Sequence, residues 1–346
     1  MSIEPLVSII IPNYNYGHYL KDCFESLLKQ TYQNFEIIFR DNQSTDDSYN
    51  IALSYIEKFK KRGIYLSVSR NKRNVGSDIN TNLATRDAES EYIYTLASDD
   101  LIKPDFLSKV MNIFIKYPNV STVITNRDEI DENGVVTQLP PFYNKNCIIK
   151  GEEQAAVYMM AGIAIPAQRM IRLSAFNATK QYQRVWNVAG DWYINYIVSM
   201  VGDVAYIKEP LVQYRVHSGN ETNESEKNLL GIFEHYQLLH SFVEIAKAYG
   251  MKKPIMRYDE AVKKLGSMCL RYVLKMLKAD EIRIAKKYLQ LAIVFDENIV
   301  ENEQYKKMKN WVELDSNQLK EILKNEPDIV RKVSYDPPIG SEEIII

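Results

Sequence analysis

A chain of 346 residues with 46% hydrophobic and 25% charged side chains has the ordinary composition of a globular protein, long enough for one large domain or two around a substantial core. Its formal net charge of -2, with no Arg/Lys run, gives no electrostatic case for nucleic acid. Three distant cysteines (Cys23, Cys147, Cys269) fit neither a disulfide framework nor a zinc site, no apolar stretch approaches a membrane span, and no secretion leader precedes the first strand, so the expected compartment is the cytoplasm.

The first third alternates between two periodicities. Residues 6–12 are an apolar, β-branched run stopped by Pro12, which reads as a buried strand. A polar, aromatic turn over residues 13–17 leads into a helix over 19–30, where Leu20, Phe24, Leu27 and Leu28 recur at helical spacing. Phe35–Asp41 predicts a second strand ending in a carboxylate, and residues 44–47 supply cap residues for a helix through Ile51, Tyr55 and Phe59. A third strand over 64–68, a loop over 71–78 carrying Gly76, and a helix over 79–86 precede the run 92–100. This β-α-β-α-β-α-β order predicts right-handed crossovers and a parallel sheet.

Open sheets of this kind bind ligands outside the carboxyl ends of their strands, where Asp99 and Asp100 stand. Two adjacent carboxylates in a cleft need a cation or hydrogen-bond donors, and a hard cation with oxygen ligands fits. A strand-to-helix cap is the competing reading. Neither GxGxxG nor GxxxxGK[ST] occurs, so no glycine cradle for phosphate is expected.

Farther along, residues 120–125 predict another strand, and Ala161 to Pro166 offer small residues suited to a wall close to a ligand. Asp191 precedes an apolar helical run (Ile194, Ile197, Val198, Val201), where an N-cap and a functional carboxylate are both open readings. A strand over 204–207 is followed by a separate segment, 210–220, holding Arg215 and His217. From Glu226 to Asn325 no strand-like run occurs, and apolar faces at helical spacing predict about four to six helices, with a hairpin turn at Ala279-Asp280. The tail over 336–346 reads as an extended arm whose three isoleucines anchor on another surface.

Val7-Ser8-Ile9-Ile10-Ile11-Pro12-Asn13-Tyr14-Asn15, residues 27–38, residues 41–47, Asn74-Val75-Gly76 and the strand ending Ser98-Asp99-Asp100 together resemble glycosyltransferase family 2, in register from about Leu6 to His217. The resemblance implies an inverting, nucleotide-sugar-dependent enzyme of GT-A fold: an α/β, mostly parallel sheet flanked by helices over residues 1–224. A C-terminal all-helical segment with an extended tail then occupies residues 225–346. It further implies a UDP-linked donor, Mn²⁺ or Mg²⁺, and a hydroxyl of a surface-glycan or lipid-linked acceptor, with peripheral association at the inner face of the membrane and homo-oligomers through the helical segment as added expectations. Pro12 and Tyr14 would line the base and ribose, and Asp41 would accept the uracil imide hydrogen. Asn74, Asp78 and Ser98 would also lie on the nucleotide side. Asp99 and Asp100 would hold the metal, His217 would complete its shell or bind the leaving diphosphate, and the planar fork of Arg215 would suit phosphate oxygens. Asp191 would be the general base, its pKa lowered by the helix dipole, with the Trp192 indole against an acceptor sugar.

The sequence also departs from that family. Asn42-Gln43 stand where Asp-Gly is usual, Ala97 replaces the first acid of the DxD motif, and Asn80-Thr81-Asn82 replaces Ala-Arg-Asn. Residues 74–80 fit a branch of the family with Asn-x-Gly-x-Asp-x-Asn, whereas Ala97 and Asn42 favour a non-catalytic nucleotide- or sugar-binding or assembly protein on a degenerate domain. Asp41, Asp99, Asp191 and His217 together favour the enzyme.

Overall fold

The opening apolar run becomes β1 (Val7–Asn13), in which Val7, Ile9, Ile10 and Ile11 are all 0% exposed. A strand can be apolar on both faces only where both are covered. Val7, Ile9 and Ile11 pack with the helices Gly17–Leu28 and Ser48–Lys61, while Ile10 packs with Ile38, Ala84 and Ile93 on the side of helix Ser77–Thr85. β2 (Phe35–Asp41), β3 (Tyr65–Arg70) and β4 (Tyr92–Thr95) follow, each after one helix. β1 lies between β2 and β4 with β3 outside β2, all parallel, as the alternation predicts. The computed structural model describes residues 4–180, 186, 188–217, 222–329 and 333–346.

Seven more strands widen and mix the sheet: β5 (Leu101–Ile102), β6 (Val120–Ile130), β7 (Val136–Thr137), β8 (Cys147–Ile149), β9 (Arg169–Arg172), β10 (Asp203–Arg215) and β11 (Glu342–Glu343). Their order is β11-β8-β10-β6-β9-β4-β1-β2-β3, with β5 on β10 and β7 on β6. The long pairing of β10 with β6 is parallel, and the antiparallel partners are short. The result is the expected α/β, mostly parallel sheet flanked by helices.

Two strands outrun their prediction. β6 continues through Arg127, Asp128 and Glu129, and β10 runs through Pro210 instead of stopping at residue 207. Charge interrupts the apolar pattern in β6 but is matched there: Arg127, on the cavity side, donates to Gln168 Oε1 at 3.0 Å, and buried Asp128 lies 3.2 Å from Lys103 Nζ. Pro210 is tolerated because the β10–β6 register shifts there, leaving no ladder N–H to supply. Ser218 to Asn220, the end of the predicted segment, lie outside the described residues. Alternation along β10 also divides the core. Val204 and Tyr206 join the cluster of the C-terminal helices, while Ala205 and Ile207 join that of helix Phe106–Lys116.

Beyond β10 the described chain is helical as far as Leu323, and six helices start after Glu226, matching the upper end of the expectation. Helices Tyr258–Lys278 and Ile282–Phe295 form the hairpin, and Asp280 closes it at φ 61°, a conformation Asp tolerates better than most residues. The boundary expected between residues 224 and 225 falls inside helix Thr222–Lys227. One apolar cluster joins Leu265, Cys269 and Tyr288 to Trp192, Tyr193 and Tyr196 of helix Gly190–Ser199, with Tyr196 stacked on Phe242 at 3.7 Å. The tail then returns to the sheet. β11 pairs with β8 and Ile344 is buried in the core beneath it, whereas Ile345 is 93% exposed. The anchoring surface is therefore the chain's own sheet, and it takes Ile344 alone of the last three residues. No described helix is long and apolar enough to cross a membrane.

Candidate functional site

Parallel register brings Asn13, the last residue of β1, beside Asp41, the last of β2. Asp41 is 0% exposed: Oδ1 accepts from Asn13 Nδ2 at 3.2 Å, Oδ2 accepts from the Ser44 N–H at 3.0 Å, and Arg70 Nε lies 3.1 Å from Oδ2. Its carboxylate is therefore held from inside the chain. Asn13 Oδ1 is buried with no hydrogen-bond partner among the described residues, an orphaned acceptor of the kind native cores rarely leave. Half-buried Pro12 and exposed Tyr14 flank it. The following turn is pinned by side chains. Asn15, at φ 59°, accepts the Thr45 N–H at 2.8 Å, and the Gly17 N–H donates to Asp46 Oδ2 at 2.9 Å. A Cβ on Gly17 would sit 3.0 Å from that same oxygen, so the close approach requires glycine.

Asn42 departs from the family's acid for a visible reason. Its Nδ2 donates to Asn74 Oδ1 at 2.8 Å, while its Oδ1 accepts from Asn71 Nδ2 at 2.9 Å and from the Val75 N–H at 3.0 Å. Asn71 also donates to Asn80 Oδ1 at 2.7 Å, and Asn80 Nδ2 reaches the Arg40 carbonyl at 3.0 Å. A carboxylate at 42 accepts but cannot donate, so it could not close this network. Asn74 and Asp78 stand exposed on the Gly76 loop that the network holds.

At the end of β4 the chain turns, and Ser98, Asp99 and Asp100 are buried. Asp99 Oδ2 lies 3.1 Å from His217 Nε2, just past the end of β10. Asp100 Oδ1 accepts the Arg215 N–H at 2.9 Å, and burial together with the neighbouring Asp99 charge pushes the Asp100 carboxyl well above the ordinary carboxylate range. The Arg215 guanidinium is buried too. It donates to the Asp99 carbonyl at 2.9 Å and the Asp131 carbonyl at 3.2 Å, lies 3.3 Å from Asp22 and stacks over Tyr19 at 4.4 Å. Arg215 thus clamps the acid loop to β10. Ser98 Oγ has no described partner.

Among the described residues no three His, Cys, Asp or Glu side chains converge as a complete metal shell. Asp99 and His217 do converge as a pair, and one carboxylate plus one imidazole suits a divalent cation whose remaining ligands are phosphate oxygens and water. Asp100, with its raised carboxyl turned to the Arg215 N–H, fits that set less well.

Asp191 is the second residue of helix Gly190–Ser199, and the N-cap position belongs to Ala189. Its Oδ1 accepts the Trp192 N–H at 2.7 Å. The direction of its pKa reverses expectation. Burial raises it, only partly opposed by the Arg169 charge, the Trp192 N–H and the Arg127 charge, so desolvation outweighs the helix terminus. Arg127 on β6 acts on Asp100 as well, which makes it the electrostatic link between the two acidic centres. It was missed in the sequence because an isolated Arg after an apolar run reads as a strand end. The Trp192 indole is mainly core. Its N–H donates to the Tyr158 carbonyl at 2.6 Å, it lies 5.2 Å from the His235 ring, and a Cβ on Gly162 would meet it at 3.0 Å. The small residues over 161–166 therefore fit an indole, and the edge of that wall from Ala161 to Ile165 stays open.

That edge opens on a cavity of about 1470 Å³, lined by Arg127, Gln168, Asp191 and Trp192 on the sheet side and by His235 and Arg271 of the helical extension. Burial, then the Arg271 charge, lowers the His235 pKa to about 4, so its imidazole is neutral.

Residues 8–179 match Glycosyl transferase family 2. An uncharacterized glycosyltransferase of Haemophilus influenzae is 26% identical over 234 residues, 63% of this chain and 68% of that protein. Chondroitin synthase of Escherichia coli is 29% identical over 216 residues, 62% of this chain and 30% of the synthase. Among solved structures, S. aureus TarS 1-349 in complex with UDP-GlcNAc superposes with a TM-score of 0.58 at 14% identity, covering 98% of this chain and 99% of that one. This last likeness establishes a shared fold through both the sheet and the helical extension.

Proposed function

The chain belongs to glycosyl transferase family 2 through residues 8–179, and on that premise we propose that it transfers a sugar from a uridine-diphosphate-type donor to a hydroxyl of a glycan or lipid-linked acceptor, with inversion. The observation that carries this reading is the Asp99–His217 pair at the carboxyl edge of the sheet, braced by Arg215. Asp99 and His217 would hold Mn²⁺ or Mg²⁺, which when bound neutralises charge on the leaving diphosphate. Pro12 and Tyr14 flank the base and ribose, and Asn13 with its unused Oδ1 stands beside Asp41 where the imide hydrogen is read. Arg215 positions the acids and does not meet the diphosphate. Asp191 takes the proton from the acceptor hydroxyl, its raised pKa making it a stronger base than an exposed carboxylate. The bound complex of TarS with UDP-GlcNAc supports a donor of this class on this fold.

The test is release of nucleoside diphosphate by purified protein with Mn²⁺ or Mg²⁺ across a panel of nucleotide sugars. Release that depends on the metal and is lost in Asp99→Asn is expected. Equal release by Asp99→Asn, or binding of no nucleotide at all, would sink the reading.

A further inference from the structure

Helix Tyr258–Lys278 and the residue before it carry basic side chains at a fixed interval: Arg257, Lys264 and Arg271 stand seven residues apart. Seven residues are nearly two helical turns, so the three lie along one face at intervals of about 10 Å. All three line the cavity that holds Asp191. The acids of that cavity are largely matched. Glu153 pairs with Lys253, Glu260 with Arg257, Glu226 with Lys275, and Asp336 accepts from Asn144 at 2.7 Å. The Arg257–Glu260 pair is exposed and three residues apart on one helix, so it competes weakly with an incoming anion. Lys264 and Arg271 are exposed and face no described carboxylate within ion-pair distance, and Arg271 lies over the Tyr272 ring at 5.5 Å. A solvated helix face distributes its charges to all sides. This one aligns an evenly spaced row with a cavity whose lining also includes Asp191, the carboxylate assigned as base.

We propose that Arg257, Lys264 and Arg271 form a binding track for an acceptor chain with repeating negative charges, phosphodiester or uronate, and that the track feeds the acceptor's hydroxyl end toward Asp191. The proposal rests on the reading of Asp191 as the residue that faces the acceptor. The helical extension then supplies acceptor specificity, while the sheet edge supplies donor binding. A neutral glycan would gain nothing from the row. An anionic one engages it at intervals, so binding weakens with ionic strength.

The experiment measures binding of labelled linear polyphosphate, polygalacturonate and neutral dextran to the full chain by fluorescence anisotropy at two salt concentrations. Calorimetry with UDP runs in parallel. The wild type is expected to bind one or both polyanions and not dextran. In Lys264→Glu/Arg271→Glu that binding is expected to weaken by roughly tenfold or more. The control Lys263→Glu/Lys287→Glu, which makes the same charge change at exposed positions outside the cavity, is expected to stay within about twofold, as for charges that make no specific contact. Which polyanion responds separates phosphodiester from uronate. Equal loss in both double variants, dextran binding as well as the polyanions, or no polyanion binding by a folded wild type would overturn the track. UDP affinity reports on the donor reading separately. A protein that binds UDP but no polyanion refutes the track alone, and one that binds polyanion but no UDP refutes the donor reading alone.

Discussion

The two flanks of the sheet's carboxyl edge are built differently. Toward β3, polar side chains are tied to partners roughly one βα unit away: Asn13 to Asp41, Asp41 to Arg70, and Asn42 to Asn71 and Asn74. Toward β10, the cavity around Asp191 is assembled from segments scattered between Asn126 and Pro338. The first network is complete once adjacent strands are in register. The second exists only after the helical extension has docked and the tail has returned to β8. The donor flank should therefore tolerate damage to C-terminal packing, and the acceptor flank should not.

The sharpest way to separate the flanks is Asp191→Asn. Transfer is expected to fall by about 10²–10⁴-fold, the usual worth of a positioned general base. UDP affinity by calorimetry should stay at the wild-type level. Loss of UDP binding in a folded variant would break the division.

Next in size is Ile344→Ala, which undercuts the returning tail. Truncating a buried Ile costs about 2–5 kcal/mol, the lower end being expected where a chain end can adjust. Urea unfolding should show the loss, with transfer impaired and UDP affinity kept. Arg215→Met strikes the junction of the two flanks. It leaves the Asp99 and Asp131 carbonyls without their guanidinium donor, at about 1–3 kcal/mol each if they stay buried. Both metal-dependent nucleotide binding and stability should then drop together. Asn42→Asp probes the donor flank alone. The variant loses both Nδ2 donations, to Asn74 Oδ1 and to the Gly76 carbonyl, while Asn74 Oδ1 keeps the Gly76 N–H, so the cost should lie near the roughly 1–3 kcal/mol of two net hydrogen bonds, read as a lowered melting temperature.

The smallest effect is a matter of sign. The folded state raises the Asp191 pKa above its unfolded value, with the Arg169 and Arg127 charges opposing. Folding therefore favours its neutral form. The stability that form contributes is complete below the unfolded carboxyl pKa of about 3.9 and is lost as pH rises through the folded value. At neutral pH Asp191→Asn should melt higher than wild type, and the gap should close in acid. For the same reason the acidic limb of the wild-type rate profile should lie above that of an ordinary carboxylate. A residue acting only as a helix cap would leave Asn and Asp equivalent in both measurements.

Much of this was legible beforehand. Strand and helix periods over residues 7–95 survive folding with shifts of only a few residues; Asp41 ends β2 and Asp99 lies in the turn just past β4, because a polar cluster follows each apolar run. Prediction faltered at β6 and β10, where Arg127, Glu129 and Pro210 interrupt the apolar pattern of strands that continue. Their environment there is a cleft and a register shift, which no local window contains.

The sequence by itself determined what depends on near neighbours: the βα alternation, the parallel edge, and the acids and His217 that gather along it. Periodicity and turn chemistry act within a few residues, so they can be read there. Only the tertiary structure decided that Asp41 is enclosed by Arg70 and Ser44, that Arg215 faces two backbone carbonyls, that burial overrides the helix terminus at Asp191, and that a cationic row from residue 257 onward lines the same cavity as that carboxylate. Desolvation and charge are set by whatever packs within a few ångströms, and in this chain those groups come from positions as much as two hundred residues apart.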